Sequence, residues 1–303
     1  MESDIRAIEE NAALYEETNF YSRADAIDFI DFHILDRIEI LSPDIKLKEK
    51  LDILKLRAEK AKYELERIDA NLFKQLRENI RNGIYTKSSF NEMISKYMGY
   101  NVSEIGQPDK IGYDNLDVFI NKLLSVEAVP NATIAAEPEM VFYQKTPARI
   151  ILKMTDLAQL SKNDVFFDLG SGLGQVAMLV NLISGATARG IEYEPAYCDY
   201  AKACASQLNL SNVEFINTDA RKGDYSKGTV FFMYTPFEGS MLQDMMEILQ
   251  KESQKRTIRI FTYGPCSSNI ALQTWLDCVN GDPDNHYELC AFRSLDSLSY
   301  DCN

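Results

Sequence analysis

The stretch Val165-Phe166-Phe167-Asp168-Leu169-Gly170-Ser171-Gly172-Leu173-Gly174-Gln175-Val176 decides how the chain is read. An apolar run leads into a carboxylate, then three alternating glycines, then a second apolar segment of helix-forming residues. Strand, Gly-rich turn and helix, in that order, build a nucleotide site at the C-terminal edge of a parallel sheet. Glycines admit sharp backbone angles and let a ligand approach without interference from Cβ. Taken alone, such a turn suits NAD, FAD or S-adenosylmethionine (SAM), or is merely structural.

Two details separate the candidates. The dinucleotide fingerprint is G-x-G-x-x-G, with a pyrophosphate set on the helix N-terminus. Here the spacing is G-x-G-x-G, and Gln175 stands where the third dinucleotide glycine belongs. Asp168 precedes the turn directly; it would repel a pyrophosphate but can pair with the α-ammonium of SAM. Some twenty residues on, Gly190-Ile191-Glu192 ends the next strand, where an acid chelates ribose hydroxyls. Glu192 is the candidate, with Glu194 a fallback expected to be solvated. The third strand ends in Asn217-Thr218-Asp219-Ala220, where Asp219, beside Ala220, reads either as acceptor of the adenine amino group or as a turn cap.

Around these residues the texture is that of alternating strands and helices. Strands are expected at 165–168, 188–192, 213–217, 229–234 and 258–263, and helices at 146–160, 173–184, 195–208 and 238–252. The segment Tyr287 to Leu295 adds one or two further strands. Short, non-alternating apolar strands between helices imply an α/β, doubly wound, mostly parallel sheet covered on both faces.

Residues 1–129 read as an all-helical N-terminal domain. Ala24, Ile27, Ile34, Leu35, Ile38 and Leu41 lie at helical spacing. Ser42-Pro43-Asp44 has the form of a helix start. Leu47, Leu51, Leu54, Ala58, Ala61, Leu65, Ile68 and Leu72 then alternate in steps of four and three, a seam that packs on another helix. That seam meets the helix at 22–41 of the same chain or, alternatively, a second copy in a homodimer. Gly83 is expected to stop the helix after Asn82. Shorter helices are expected at 88–98 and 113–126. Residues 130–139, bracketed by Pro130 and Pro138, read as a linker to a domain spanning 140–303.

The formal net charge is −14, divided −9 over residues 1–140 and −5 over the rest. So acidic a surface offers no phosphate-binding stripe and argues against nucleic acid as partner. No run approaches the roughly 20 apolar residues of a membrane span. The acidic start Met1-Glu2-Ser3-Asp4 leads into no secretory signal, and the six dispersed cysteines read as reduced thiols. A cytoplasmic location is expected, and no metal site.

On Asp168–Gly174, Glu192 and Asp219 the chain resembles the class I SAM-dependent methyltransferases. The resemblance covers about residues 140–295 and implies a Rossmann-like, seven-stranded sheet with one antiparallel strand near its end. It also implies SAM as methyl donor, S-adenosyl-L-homocysteine (SAH) as product, and a cofactor site that includes Gly170, Ser171, Gly172, Gly174, Gln175 and Ala220. Val165–Val176 is similar to the non-SET histone lysine methyltransferases (the disruptor of telomeric silencing type). Those enzymes fold a tyrosine and a threonine over SAM; Tyr143 and Thr146 match them. The chain as a whole is similar to bacterial methyltransferase-like proteins of unassigned substrate.

After the fourth strand the pattern departs. Histone-type enzymes carry paired asparagines before a phenylalanine, and amino-group methyltransferases often carry D/N-P-P-Y/F; here stands Tyr234-Thr235-Pro236-Phe237. The resemblance therefore brings the methyl donor without a lysine acceptor. Tyr234, Thr235, Phe237 and Tyr263 are assigned to the acceptor pocket, with Phe237 able to shield a sulfonium. No general base stands out: His33 and His286 read as structural or solvated, and Cys266 as a buried thiol. The expected function is methyl transfer to an N, O or C nucleophile of a protein or small molecule. The alternatives are a non-catalytic SAM-binding interaction protein and an NAD-dependent oxidoreductase.

Overall fold

The computed structural model describes residues 1–43, 47–85, 87–101, 112–125 and 128–295. The N-terminal region is helical: α1 (Glu2–Glu10), α2 (Phe20–Phe29), α3 (Asp36–Leu41), α4 (Lys48–Arg81), α5 (Lys87–Met98) and α6 (Asn115–Leu124). A π-helical turn, Ile30–Leu35, joins α2 to α3. The heptad seam is real and packs within the chain. Leu51, Leu54, Ala58, Ala61 and Leu65 are buried against Ile27, Ile30, Ile34 and Ile38.

Two details of that region differ from the expectation. Ser42 does not start a helix: its hydroxyl donates to the Glu39 carbonyl at 2.7 Å and closes α3. Asp44 lies outside the described residues, and α4 begins at Lys48 without a side-chain cap. Further along, the seam continues through Asp69, which is buried where Ile68 is only half-buried. Arg23 meets Asp69 at 2.6 Å, both out of water, and Lys122 reaches the other carboxylate oxygen at 2.8 Å. Three more guanidinium N–H groups donate to the carbonyls of Leu14, Glu16 and Glu17, so the buried cation is largely satisfied. Gly83, with φ +67°, terminates α4 as expected.

Beyond residue 140, α7 (Ala148–Leu157) precedes an alternating series. It runs β1 (Val165–Leu169), α8 (Gln175–Ser184), β2 (Thr187–Glu192), α9 (Pro195–Gln207), β3 (Val213–Asn217), β4 (Val230–Met233), α10 (Gly239–Ser253) and β5 (Arg259–Thr262). Then come α11 (Cys266–Ala271), β6 (Leu276–Asn280) and β7 (Cys290–Ser294). The sheet order is β3-β2-β1-β4-β5-β7-β6, with only β7 antiparallel to its neighbours. The chain reverses its direction of winding between β1 and β4, which opens a crevice at the strands' C-terminal ends. The late segment supplies one strand, β7; its partner β6 lies earlier, on a mostly exposed edge.

The helices and the sheet share a core. Phe20, Leu72, Phe90 and Phe119 cluster with Val176, Leu179 and Ile183 of α8. Asp117 ties the two regions. One oxygen accepts from the Asp114 amide to complete the capping box of α6; the other accepts from the Ala148 amide, the first residue of α7, at 2.7 Å. No described helix is long and apolar enough to cross a membrane. Cys198, Cys204, Cys266 and Cys290 are buried and Cys278 is exposed, none of them in a disulfide; Cys302 lies outside the described residues.

Removing one member of the buried pair leaves its partner's charge unmatched. Asp69→Ala is expected to lower unfolding stability by about 3–5 kcal/mol, read as a shift of the urea midpoint. A change under 1 kcal/mol would show that Arg23 finds water instead.

Candidate active site

Parallel pairing sets Asp168 beside Gly190 and Phe232, and Glu192 one residue beyond the Leu169–Ile191 pair. Two carboxylates thus stand at the ends of adjacent strands and open on one crevice. That crevice is a cavity of about 350 Å³, lined by the Gly-rich turn, the ends of β2 and β4, and residues from Ala132 to Thr146. The size is within the range of small-molecule sites.

The sequence dictates the turn's shape. Gly170, Gly172 and Gly174 all have positive φ, which side-chain-bearing residues rarely adopt. At Gly172 there is a second reason: a Cβ would lie 2.1 Å from the Tyr143 ring. The Gly172 amide donates to Glu192 Oε2 at 2.6 Å, so the turn and the acid at the end of β2 fix one another. Glu192 Oε1 accepts from the Glu194 amide at 2.8 Å.

Asp168 has no such support. Only 3% exposed, it has one oxygen without a partner. Burial, with the neighbouring Glu192 charge second, pushes its carboxyl up to about 8. Burial also raises Glu192, against the hydrogen bonds from Glu194 and Gly172. Beside Asp168 the Ser171 hydroxyl and both amide atoms of Gln175 are likewise buried and unpartnered. Orphaned buried polar atoms are rare, and each needs an explanation. Here four such atoms on three residues converge on one cavity, an acid suited to an ammonium, a hydroxyl and an amide, with Glu192 as a second acid beside them. This donor and acceptor set fits an amino acid–nucleoside carrying a cation. Tyr143 and Thr146 complete the wall; Tyr143 packs on Tyr197 with ring centres 5.5 Å apart, and burial raises its hydroxyl pKa.

Two expectations are corrected. Asp219 does not line the cavity, which Thr218 and Ala220 do. Its carboxylate caps the Arg221 amide and takes the Arg221 guanidinium at 2.8–3.1 Å, and that pairing lowers its pKa. The turn-cap reading is the one observed. Glu194 is not solvated. It is 6% exposed, caps α9 through the Ala196 amide, and accepts from the Thr133 hydroxyl at 2.5 Å and the Ile134 amide at 3.0 Å. Burial works to raise its pKa, but these hydrogen bonds prevail and hold it at about 2. The segment read as a linker thus roofs the cavity through Ala132, Ile134 and Ala136; its prolines and small residues gave no sign of this.

On the far wall Tyr234, Thr235 and Phe237 line the cavity with Pro236. Thr235 has φ +40°, uncommon for a β-branched residue. Its hydroxyl donates to the Tyr263 carbonyl and accepts from the Cys266 amide, which holds the bend. Tyr263, expected in the acceptor pocket, does not line the cavity; it packs tilted on Tyr234, ring centres 4.9 Å apart. Cys266 is buried, with its thiol pKa raised by burial. His33 stacks on Phe29 within the helical region, and His286 is exposed.

Residues 138–233 match the profile of the family described as "Histone methylation protein DOT1". That match, on a sheet of Rossmann-like order, makes the domain methyltransferase-like. The DOT1 match ends at Met233, the last residue of β4, so Tyr234–Phe237 lie after it.

Solved structures with a similar fold include an RNA methyltransferase from Salinibacter ruber bound to SAH. Identity is 24%, over 51% of this chain and 95% of that one, with a TM-score of 0.41. SAM-dependent methyltransferases from Thiobacillus denitrificans (20%, 38% and 48% covered, TM-score 0.32) and Geobacter sulfurreducens (18%, 44% and 65%, TM-score 0.35) were likewise solved with SAH. The chain thus spans about half the length of the Thiobacillus protein. No curated protein matches the chain.

Gly172→Ala is expected to abolish SAH binding by calorimetry while leaving the far-ultraviolet dichroism intact; unchanged affinity would sink the turn's assignment. Asp168 yields a second test. Its pKa lies above the unfolded value of 3.8, so in the free domain this carboxyl costs stability as pH rises from about 4 towards 8. A bound ammonium favours the ionised form. SAH affinity should therefore rise between about pH 6 and 8 with proton release, seen as buffer-dependent enthalpy. In Asp168→Asn that dependence should vanish.

Proposed function

We propose that the domain methylates an acceptor whose nucleophile is already competent when it enters, so that no protein base is needed. The acceptor is a protein side chain or a small molecule that approaches over Tyr234, Pro236 and Phe237. The observation that carries this reading is the chemistry of the wall beyond β4. Among the described residues lining the cavity, the carboxylates are Asp168, Glu192 and Glu194, all on the cofactor side. Thr235 has committed its hydroxyl to the backbone. Burial pushes the Tyr234 phenol up to about 12, so at neutral pH it is a donor and not a base.

SAM supplies a methyl group that is already activated, and the protein's work is then positioning and exclusion of water. Asp168 would hold the ammonium, Glu192 the ribose, and Ser171 and Gln175 the polar groups between them. Tyr143 closes one side. Phe237, buried at the end of the β4 segment, supplies an aromatic face towards the sulfonium. An amine acceptor must arrive neutral, and the net charge of −14 works against that by favouring its protonated form. The match to histone methylation proteins supports the donor half of this reading; the residues beyond Met233 lack the asparagines that would support a lysine acceptor.

Methyl-labelled SAM added to fractionated cell extract should place label in an acceptor fraction that is lost in Asp168→Ala. Tight SAH binding with no transfer to any fraction would favour a non-catalytic SAM-binding module. Phe237→Ala should weaken SAM roughly fivefold and the uncharged SAH less. Equal losses for both ligands would remove the sulfonium role.

A further inference from the structure

We infer that Glu194 is a positioning residue of the cofactor site, fastening residues 132–137 as a strap across the cavity through Thr133. The inference rests on the cofactor reading of the cavity and concerns how the ligand is retained there.

The strap is pinned at three places, one after each of three strands. After β2, Glu194 takes the Thr133 hydroxyl at 2.5 Å and the Ile134 amide at 3.0 Å. After β3, Arg221 takes Glu137 at 2.9 Å while it holds Asp219. After β4, Glu139 accepts from the Ser240 hydroxyl and the Met241 amide, each at 2.8 Å, and across the same junction the Val141 amide donates to the Pro236 carbonyl and the Glu238 amide to the Glu139 carbonyl. The last pin is continuous with the body of the domain. The first is not: Thr133 and Ile134 are otherwise exposed, and no apolar core holds them.

Glu194 is built for this task. It is withdrawn from water, and a buried carboxylate without donors is costly, so it retains the strap as strongly as the strap satisfies it. Its own amide meets Glu192 Oε1, which puts the strap's anchor and the ribose-binding acid on one three-residue turn. Ala132 and Ile134 line the cavity on either side of Thr133. A ligand beneath them leaves only after the Thr133–Glu194 contact parts.

Thr133→Val removes the donor while keeping shape, at an exposed position where folding is not at stake. In stopped-flow displacement, SAH should dissociate about tenfold faster, the loss expected of one hydrogen bond to a charged acceptor, and Thr133→Ser should restore the wild-type rate. Hydrogen exchange at the Ile134 amide should quicken in the valine variant and slow when SAH is added to the wild type. Glu194→Gln, which can still cap α9, should fall between. If Thr133→Val releases SAH at the wild-type rate, or serine fails to rescue, the assignment is overturned. If the wild-type protein itself does not bind SAH, the cofactor reading fails first and the strap's role with it.

Discussion

The withdrawal of Asp168 and Glu192 from water is the constraint that organises this domain. Parallel strands present their C-terminal ends together, so two acids at the ends of β1 and β2 are neighbours by topology. The Glu192 charge opposes the ionisation of Asp168, and burial opposes that of both. The two are treated differently. Glu192 receives backbone N–H groups from Gly172 and Glu194 and is held in one conformation without a ligand. Asp168 receives no comparable donor and keeps an unpartnered oxygen. The domain holds a fixed acid next to an unsatisfied one, and a cationic ligand relieves the unsatisfied member.

Burying those acids requires more than the sheet provides. A parallel sheet edge is open at the top, and what closes it here comes from sequence before β1. Tyr143 lies against Gly172, Thr146 sits at the approach to α7, and residues 132–137 cross the opening. These segments are in turn held by the helices, since Asp117 of α6 caps α7. Helical region and catalytic sheet share one core for that reason: the first sets the height and angle at which the roof meets the second.

Much of this was legible in the sequence because it follows from short-range rules. Strand ends, the glycine spacing and the substitution of Gln175 for a third dinucleotide glycine are local signals, and each predicted strand from β1 to β5 lies within a residue of its expected bounds. The heptad seam was equally legible, being a periodicity. Long-range pairing was not. Asp219 and Glu194 are similar acids just beyond neighbouring strands; Arg221, two residues on, captures the first, but the second is engaged by Thr133 far back in the chain, and nothing in the sequence around Glu194 announces that partner. The edge strand β6 was missed because its residues, Leu276 apart, face solvent, so it lacks the apolar run that marks an interior strand. In the seam, Asp69 reads as a polar intrusion until Arg23, forty-six positions away, is seen to meet it.

The two walls of the cavity also differ in what their residues have left to offer. On the cofactor wall polar atoms are free and aimed inward. On the opposite wall Thr235 adopts an unfavourable backbone angle, and its hydroxyl is consumed in keeping that bend beside Tyr263 and Cys266. Such strain persists only where surrounding structure imposes it. Its effect is to turn Pro236 and Phe237 into the cavity at the point where β4 ends, with the backbone of Met140 paired to Phe237 from the strap side. Polar capacity on that side has largely been exchanged for shape, a shelf of Pro236 and Phe237 beside the protonated Tyr234 phenol. Under the proposed function, selectivity at such a shelf would come from the fit and the intrinsic nucleophilicity of what enters, since the described residues of the wall supply no base.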